Sequence, residues 1–359
     1  MKMPDHPVPS GDRLMARMLV AALKQRGHKV DLISELRSFS AEPGAAAYAA
    51  IEDHARREIE RISELWGSGA RPDLWFTYHP YYKAPDLLGP VLVRKYGLPY
   101  VTAETSYSER RNIGYWAQMQ ARVLDGIRIA AVNICLTNRD HDGLLSIAPQ
   151  AKVAILRPFI EPGPFLGDLP GSGADGFRMI TVAMMRPGDK LNSYRLLADA
   201  LARISPDLPW TLSVVGDGVM KAEVAALFSR FGGERITWHG AADTAEIAKL
   251  MAQSVLYVWP GFGEAYGLAF LEAQAAGLPV IAQSVAGVPE AVQHGRTGLL
   301  TPAEDADAFA RGIERLLTNR DERSAMGAAG RQFVLDERTM DRAALRLDGI
   351  VRELKGSQA

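Results

Sequence analysis

Two glutamates, Glu264 and Glu272, lie eight residues apart in the most distinctive segment of the sequence, residues 259–282. Glu264 falls in a glycine-rich stretch, 261–267, that follows a short apolar run. Glu272 falls in the predicted helix behind that stretch, and Gly277 is typical of a helix C-cap. Two carboxylates at this spacing are often no more than a solvated pair, but the glycines and the apolar run favour a binding site.

The predicted start of this helix suits an anion. The first amides of a helix have no partner within it and point beyond its N-terminus. Here they belong to Gly267, Leu268 and Ala269. A diphosphate fits such a site. Glu272, a turn further along, would accept two hydrogen bonds from a ribose diol, and Glu264 would face the group that the diphosphate carries.

Two cations, Arg186 and Lys190, follow another predicted strand, 179–184. Fixed cations at the carboxyl end of a strand suit a phosphate leaving group. The alternative is that both are solvated surface charges. Two more loops follow predicted strands, one containing Gly216 and the other His239 with Gly240. Because parallel strands place their carboxyl ends at one edge of a sheet, we expect all these loops to meet, although His239 could also simply end its strand.

The elements that must position these residues alternate along the whole chain. Short apolar runs alternate with helical patterns, of which 45–66 is the clearest, and this alternation predicts parallel sheets with helices on both faces. A Pro/Gly-rich linker, 157–173, divides the pattern. We therefore predict an α/β protein of two doubly wound, Rossmann-like domains, 1–160 and 161–336, facing a cleft, with a last helix in 337–359 that returns to the first domain. The predicted strands are 29–33, 74–77, 100–103, 131–136, 152–156, 179–184, 211–215, 236–238, 255–259, 279–282 and 298–300.

The amino-acid composition argues against several classes of protein. The 359 residues carry 41 Lys and Arg against 42 Asp and Glu, a net charge of −1, which argues against nucleic acid or an anionic membrane as the main partner. The single cysteine, Cys135, excludes a disulfide within the chain and favours the cytoplasm. No apolar run approaches the roughly 18 residues of a membrane span, and the first residues do not resemble a signal peptide.

The start of the chain is unusual for this fold class. A helix over 13–26, capped by Ser10 or Asp12, begins before any apolar run, so the first strand of the first sheet is missing. Either the natural protein starts upstream or the sheet lacks this strand. We favour the upstream start, because an empty central position would uncover the apolar residues of 30–33 and Val101.

The motifs taken in order resemble the retaining glycosyltransferases of the GT-B fold, glycosyltransferase family 4 (group 1). The resemblance is closest over residues 178–317. It rests on the Glu264…Glu272 pair (E-x7-E), the Arg186/Lys190 pair, Gly216-Asp217-Gly218, Gly240, Gly287-Val288-Pro289-Glu290 and Gly295-Arg296-Thr297-Gly298-Leu299-Leu300.

The resemblance implies transfer of a sugar from a nucleotide-sugar donor to an acceptor, in glycan or glycolipid biosynthesis, with no metal and no cofactor besides the nucleotide sugar as co-substrate. Glu264 would contact the hydroxyls of the donor sugar and Glu272 the ribose. Arg186 and Lys190 would hold the diphosphate and, with Glu264, form the catalytic set. The remaining predicted donor-binding residues are Gly11, Gly216, His239, Gly240, Gly263, Tyr266, Gly267, Leu268 and Ala269.

The first domain would bind the acceptor, which is sugar-containing or lipid-linked by the same resemblance. Similar proteins place a histidine after the strand 100–103, where this chain has Glu104. Glu104 is therefore a candidate in its place, together with His79, Tyr82 and Tyr107. Aromatic rings pack well against sugars, but buried loop packing explains these tyrosines equally well.

Two other functions remain open. A GT-B epimerase or phosphorylase is the first, but neither the further acid/base carboxylates of the one nor the pyridoxal lysine of the other can be placed in this sequence. The second is a non-catalytic nucleotide-sugar-binding subunit that supports a partner enzyme. Donor hydrolysis with and without acceptor would separate these from a transferase.

Overall fold

The computed structural model describes residues 11–41, 44–69, 71–167 and 177–356. The chain divides into two compact units. Unit 1 consists of Met1–Arg157 with Ala343–Ala359, and unit 2 consists of Pro158–Arg342. The division falls three residues before the boundary expected from the sequence after residue 160.

Unit 1 contains a four-stranded parallel sheet in the order β1-β2-β3-β4. Its strands are β1 (Trp75–Tyr78), β2 (Tyr100–Ala103), β3 (Val132–Cys135) and β4 (Val153–Ile155). Its first five helices are α1 (Gly11–Gln25), α2 (Ala45–Ser68), α3 (Gly89–Tyr96), α4 (Gly114–Ile129) and α5 (Asn138–Ile147).

Helical periodicity explains how the helices of unit 1 pack. In α1, Met15, Leu19 and Ala22 recur at helical spacing and are buried. The apolar face of α2 buries Ile62 and Trp66, and the Trp66 ring meets Trp75 of β1 edge to face. The strands β2 and β3 are buried at every position, as expected of a parallel sheet that is covered on both faces.

The strand predicted over 29–33 is wrong: these residues form no strand in the structure. A parallel strand needs a neighbour with which to exchange backbone hydrogen bonds, and within the described residues no strand lies beside β1 on that side. The missing first strand concerns residues before Gly11, and these lie outside the described residues, as does the proposed Ser10 cap.

Unit 2 contains a six-stranded parallel sheet in the order β10-β9-β8-β5-β6-β7. Its strands are β5 (Phe177–Val182), β6 (Trp210–Val215), β7 (Ile236–Gly240), β8 (Leu256–Val258), β9 (Val280–Gln283) and β10 (Gly298–Thr301). Its helices are α6 (Asp189–Leu201), α7 (Lys221–Phe228), α8 (Thr244–Ala252), α9 (Leu268–Ala275), α10 (Val288–Ala291), α11 (Ala306–Thr318) and α12 (Arg320–Glu337).

The strand order of unit 2 reverses between β5 and β8. From β5 the chain builds outward to β7 on one side, and it then returns to place β8 on the other side of β5. In open parallel sheets, ligands bind outside the carboxyl ends of the strands at such a reversal. A ligand is therefore expected at the loops that follow β5, β6 and β8.

The last helix, α13 (Met340–Gly356), belongs to unit 1 from Ala343 onward. Its Asp348 lies 3.0 Å from Nε2 of His28, and the guanidinium of Arg346 donates to the carbonyl oxygen of Ile155. Among the helices of the described residues, none is both long and apolar enough to cross a membrane.

Candidate active site

An ion pair joins two of the predicted catalytic residues at the reversal point of unit 2. Lys190 lies in the first turn of α6, and its Nζ is 2.7 Å from Oε2 of Glu264, in the loop between β8 and α9. The Lys190 ammonium also lies 5.5 Å from the ring centroid of Trp259. Both side chains keep part of their surface exposed, so the pair is open to a ligand.

Hydrogen bonds connect the β8–α9 loop to the start of α6. The backbone N–H of Phe262 donates to Oγ of Ser193 at 3.0 Å, and that hydroxyl donates to the carbonyl oxygen of Asp189 at 2.9 Å. A Cβ atom at Gly263 would lie 2.1 Å from the Asp189 carboxylate, so no larger residue fits there. Sequence reasoning missed Asp189 and Ser193; a serine at a fully buried helix position was the available signal.

The start of α9 presents free backbone donors, as the sequence predicts. Gly267 precedes the helix with a left-handed φ of 66°, and its carbonyl oxygen accepts from the N–H groups of Phe270 and Leu271. The N–H groups of Leu268 and Ala269 have no partner in the part of the chain that the structure describes. This arrangement leaves them available to an anion.

Glu272 lies one turn further along α9 and is partly buried. Burial raises the pKa of its carboxyl group from 4.5 to about 7. No hydrogen bond reaches this carboxyl group from any described residue. A partly buried carboxylate without a protein partner is costly to ionise in the free protein, and a ligand that supplies hydroxyl donors would offset that cost.

Two glycines bring the loop after β6 against the loop after β5. Gly216 has φ 146° and Gly218 has φ 156°, and Cβ atoms there would lie 1.9 Å from the carbonyl oxygen of Ala183 and 2.2 Å from that of Met185. The two backbones can approach this closely only because both residues are glycine. Arg186 follows directly and is exposed at this edge.

The loop after β7 meets the same edge. The N–H of Gly216 donates to the carbonyl oxygen of Gly240 at 2.7 Å, and the strand register shifts at this point. His239 lies within β7, and its Nε2 atom is buried without a partner among the described residues. The structure therefore gathers Gly216, His239 and Gly240 together.

Two predicted donor residues have different surroundings from those expected. Tyr266 is 5% exposed, so most of its side chain is buried. Gly11 was expected in a loop, but it is the first residue of α1 in unit 1. The difference at Gly11 arises because the first helix begins two residues earlier than its apolar pattern indicates.

A second polar site lies at the carboxyl edge of the unit 1 sheet. His79 follows β1 and Glu104 follows β2, and Nδ1 of His79 lies 3.0 Å from Oε1 of Glu104. The other carboxylate oxygen, Oε2, is buried without a described partner. Both residues have left-handed backbones, with φ 57° and 56°, which costs on the order of 1–3 kcal/mol per residue.

The two groups shift each other's pKa. Burial lowers the pKa of His79, but the nearby carboxylate of Glu104 outweighs this effect, so the pKa is raised overall. Burial raises the pKa of Glu104, against the opposing effect of His79. Strain combined with coupled, buried titratable groups is more frequent at functional sites than elsewhere.

The predicted acceptor tyrosines take part in packing. The ring of Tyr82 lies 5.1 Å from that of Trp116, edge to face, and both rings have Lys83 nearby. Tyr107 is partly buried against the apolar cluster that contains Val123 and Ile127. Each tyrosine keeps some exposed surface, which stays accessible to a ligand.

Several known proteins resemble this chain over part or most of its length. Residues 176–319 match the family described as glycosyl transferases group 1. The chain is 36% identical over 149 residues to a GDP-mannose-dependent alpha-(1-6)-phosphatidylinositol monomannoside mannosyltransferase of Mycobacterium tuberculosis, covering 39% of each chain. It is 27% identical to a D-inositol 3-phosphate glycosyltransferase of Streptomyces coelicolor, covering 75% of this chain and 66% of that one. These matches thus span less than two thirds of either relative's own length.

A solved structure resembles both units together. The Anabaena protein Alr3699/HepE, determined in complex with UDP and glucose, aligns with a TM-score of 0.70 at 16% identity. The alignment covers 96% of each chain. The chain therefore has the GT-B fold, and its residues 176–319 match the family of group 1 glycosyl transferases.

Proposed function

We propose that this chain is a retaining glycosyltransferase that moves a sugar from a nucleotide-sugar donor, bound by unit 2, to an acceptor bound by unit 1. The observation that carries the proposal is the combination at the reversal point of unit 2. Free amides of Leu268 and Ala269, the unpartnered carboxyl group of Glu272 and the cation of Lys190 all lie around one loop. The UDP in the complex of the Anabaena neighbour supports a nucleotide-based donor.

Each group has a part in this reaction. The diphosphate of the donor lies at the start of α9, where the helix amides, Lys190 and Arg186 stabilise its charge. Glu272 accepts from the ribose hydroxyls, and His239 lies near the base. Glu264 contacts hydroxyls of the donor sugar. As the bond from the sugar carbon to the diphosphate oxygen breaks, the acceptor oxygen bonds to that carbon from the face that the diphosphate leaves, and the acceptor hydroxyl proton passes to the departing nucleoside diphosphate.

The acceptor is sugar-containing or lipid-linked. Two relatives support this class, since one is named for its action on a phosphatidylinositol monomannoside and the other for its action on an inositol phosphate. In unit 1, His79 and Glu104 are the groups that we assign to the acceptor, with the exposed faces of Tyr82 and Tyr107 beside them. The reaction needs no metal ion, because Arg186 and Lys190 carry the charge that a metal would supply.

Thermal shift against a panel of nucleotide sugars tests donor binding first. A donor at 100 times its Kd stabilises the native state by about 2.7 kcal/mol, which is a readily measured rise in Tm. The best donor is then incubated with inositol-based and lipid-linked acceptors, with and without EDTA, and the anomeric configuration of the product is read by NMR. Transfer with retention in EDTA is expected. Binding without transfer or hydrolysis under any condition would instead indicate a non-catalytic donor-binding subunit.

A further inference from the structure

Unit 1 carries a second cluster of charged and aromatic side chains, on two loops at the carboxyl edge of its sheet. The first loop follows β1 and turns tightly between Tyr81 and Ala84, which pair as an antiparallel bridge. The N–H of Ala84 donates to the carbonyl oxygen of Tyr81 at 2.8 Å, and the N–H of Tyr81 donates back at 3.3 Å. Because only two residues separate the paired ones, Tyr82 and Lys83 form the tip of this loop.

The second loop follows β2 and supplies another cation, Arg111. The N–H of Arg111 donates to the carbonyl oxygen of Ser108 at 2.9 Å, and the same oxygen accepts from the side-chain amide of Gln120 in α4. The two loops are also joined to each other, since the N–H of Ser106 donates to the carbonyl oxygen of Pro80 at 3.1 Å. Hydrogen bonds to backbone carbonyl groups therefore fix where Arg111 lies relative to the first loop.

The two cations lie beside one aromatic ring, that of Tyr82. Nζ of Lys83 is 5.9 Å from the centroid of this ring, and Cζ of Arg111 is 5.8 Å from it. Lys83 also lies 6.0 Å from the centroid of the Trp116 ring, which packs edge to face against Tyr82. A cation within about 6 Å of a ring centroid is attracted to the ring. The rings therefore hold both cations in place without an ion pair.

The positive charge of this cluster is not balanced by a carboxylate. Within the described parts of the chain, neither Lys83 nor Arg111 forms an ion pair. Glu109 is close to Arg111 in sequence, but it is exposed and pairs with neither cation. Glu104 is already engaged, 3.0 Å from His79. Isolated surface cations are usually solvated, but two that converge on one ring from separate loops repel each other until an anion binds them both.

We propose that Lys83 and Arg111 form an anion site beside Tyr82, and that this site binds an oxyanion group, phosphate or carboxylate, of the acceptor. A guanidinium group donates two parallel hydrogen bonds to either oxyanion, and an ammonium group adds a compact positive charge. The tip of the first loop and the second loop would then contact the same group from two directions. A neutral acceptor would leave both cations without a partner.

The assignment rests on the proposed function, which places the acceptor at His79 and Glu104. The ring of Tyr81 lies between that place and the anion site, with its centroid 5.1 Å from that of His79 and 5.7 Å from that of Tyr82. One acceptor that reaches both places carries its anionic group on a different part of the molecule from the hydroxyl that reacts. The two tyrosine rings would lie against the part of the acceptor in between.

Titration with inorganic phosphate and with acetate tests the anion site directly. Binding is followed by NMR at the Nε–H signal of Arg111, so that anions bound at the donor site do not interfere. We expect a saturable shift, a Kd at least tenfold weaker in Lys83→Gln, and a Kd within about twofold in Lys83→Arg. Arg128→Gln removes an exposed charge from the last turn of α4 and should leave the Kd unchanged. The anion that binds more tightly distinguishes a phosphate from a carboxylate. No saturable shift with either anion, or the same Kd in Lys83→Gln as in the natural protein, would overturn the proposal.

Transfer assays then test whether the anion belongs to the acceptor. The acceptors are pairs that differ by one anionic group, inositol with inositol phosphate and glucose with glucuronate. We expect the double variant Lys83→Gln/Arg111→Gln to raise KM for the charged acceptor at least tenfold while kcat and the KM of the neutral partner stay the same. Equal KM values for both members of a pair, unchanged in the variant, would contradict the assignment. Donor Kd is measured in the same samples: a natural protein that binds no donor refutes the proposed function, whereas the anion titration decides on the anion site by itself.

Discussion

Glu272 offers a sharp test of the donor site, because its carboxyl group titrates near neutral pH. Burial raises its pKa to about 7, so at pH 6 roughly nine in ten of these groups are protonated in the free protein. The ionised form, with two acceptor oxygens, is the one that suits a diol with two hydroxyl donors. Below pH 7 the donor must therefore displace a proton from Glu272 in order to bind.

The coupling of donor binding to proton release from Glu272 determines how strongly donor affinity depends on pH. If only the ionised carboxylate binds the diol, affinity for the nucleotide sugar is about tenfold weaker at pH 6 than at pH 8, or about 1.4 kcal/mol. Calorimetry at both pH values, in two buffers with different ionisation enthalpies, measures the affinity and the released proton. Near pH 6, binding releases close to one proton per donor.

Glu272→Gln provides the control for this measurement. The variant keeps the shape of the side chain but loses the charge-assisted hydrogen bonds, each worth about 1.5–3 kcal/mol, so affinity at pH 8 falls at least tenfold. Its affinity no longer depends on pH. Glu246→Gln, at an exposed position of α8, should change neither. An affinity that varies less than twofold between pH 6 and pH 8, or an unchanged pH profile in Glu272→Gln, would refute the ribose assignment.

The raised pKa of Glu272 predicts the opposite pH dependence for the free energy of unfolding of the donor-free protein. The native state holds a proton at Glu272 more tightly than the unfolded chain does, so the free energy of unfolding falls as pH rises from about 4.5 to about 7. Since the side chain is partly exposed, the cost above pH 7 is at most about 3 kcal/mol. Glu272→Gln should therefore have a higher Tm than the natural protein at pH 8. An unchanged or lower Tm contradicts the burial argument.

Three other predictions concern separate parts of the molecule. Glu264→Gln should lower kcat at least tenfold while donor Kd stays within about twofold, because Glu264 is assigned to the transferred sugar; turnover that survives within about twofold counts against that role. Gly216→Ala should lower Tm and donor affinity, because its Cβ would meet the Ala183 carbonyl oxygen at 1.9 Å, whereas Gly233→Ala, with no atom within 4 Å, should leave both unchanged. Glu104→Gln should lower the pKa of His79, followed by NMR, because it removes the carboxylate that raises that pKa; an unmoved titration would show that the pair is not coupled.

The sequence predicts the elements best where a residue's own neighbours along the chain determine its structure. The bounds predicted for β2 are those found, and the strands of unit 2 agree within about two residues, because short apolar runs between helical patterns have few other uses. The stretch 29–33 has an equally good strand pattern and yet forms no strand. Pairing depends on a neighbour that a local pattern cannot supply.

The features of the candidate site also fall into those that the sequence predicts and those that it does not. Glycines 216, 263 and 267 are recognisable from sequence because a loop between strand and helix has a known use for them. The hydrogen bond from Phe262 to Ser193 and the pairing of His79 with Glu104 are not recognisable, since each joins residues that are distant along the chain. Motifs within one loop are therefore predictable, but contacts between loops are found only in the folded structure.

The Lys190–Glu264 ion pair is a contact between two loops that each carry a recognisable motif. In the proposed reaction it also determines the order in which these two side chains engage the donor. An exposed or half-exposed pair contributes only about 0–1 kcal/mol, so breaking or sharing it costs little when a diphosphate arrives with a greater negative charge. Without that pair, Glu264 would repel the diphosphate from the start of α9. With it, the ammonium is already held beside the loop that carries the free amides. In the proposed reaction, donor binding would transfer the interaction of Lys190 to phosphate oxygens and leave the carboxylate of Glu264 to accept hydrogen bonds from the sugar hydroxyls. The same carboxylate would then first position the cation and afterwards contact the group to be transferred.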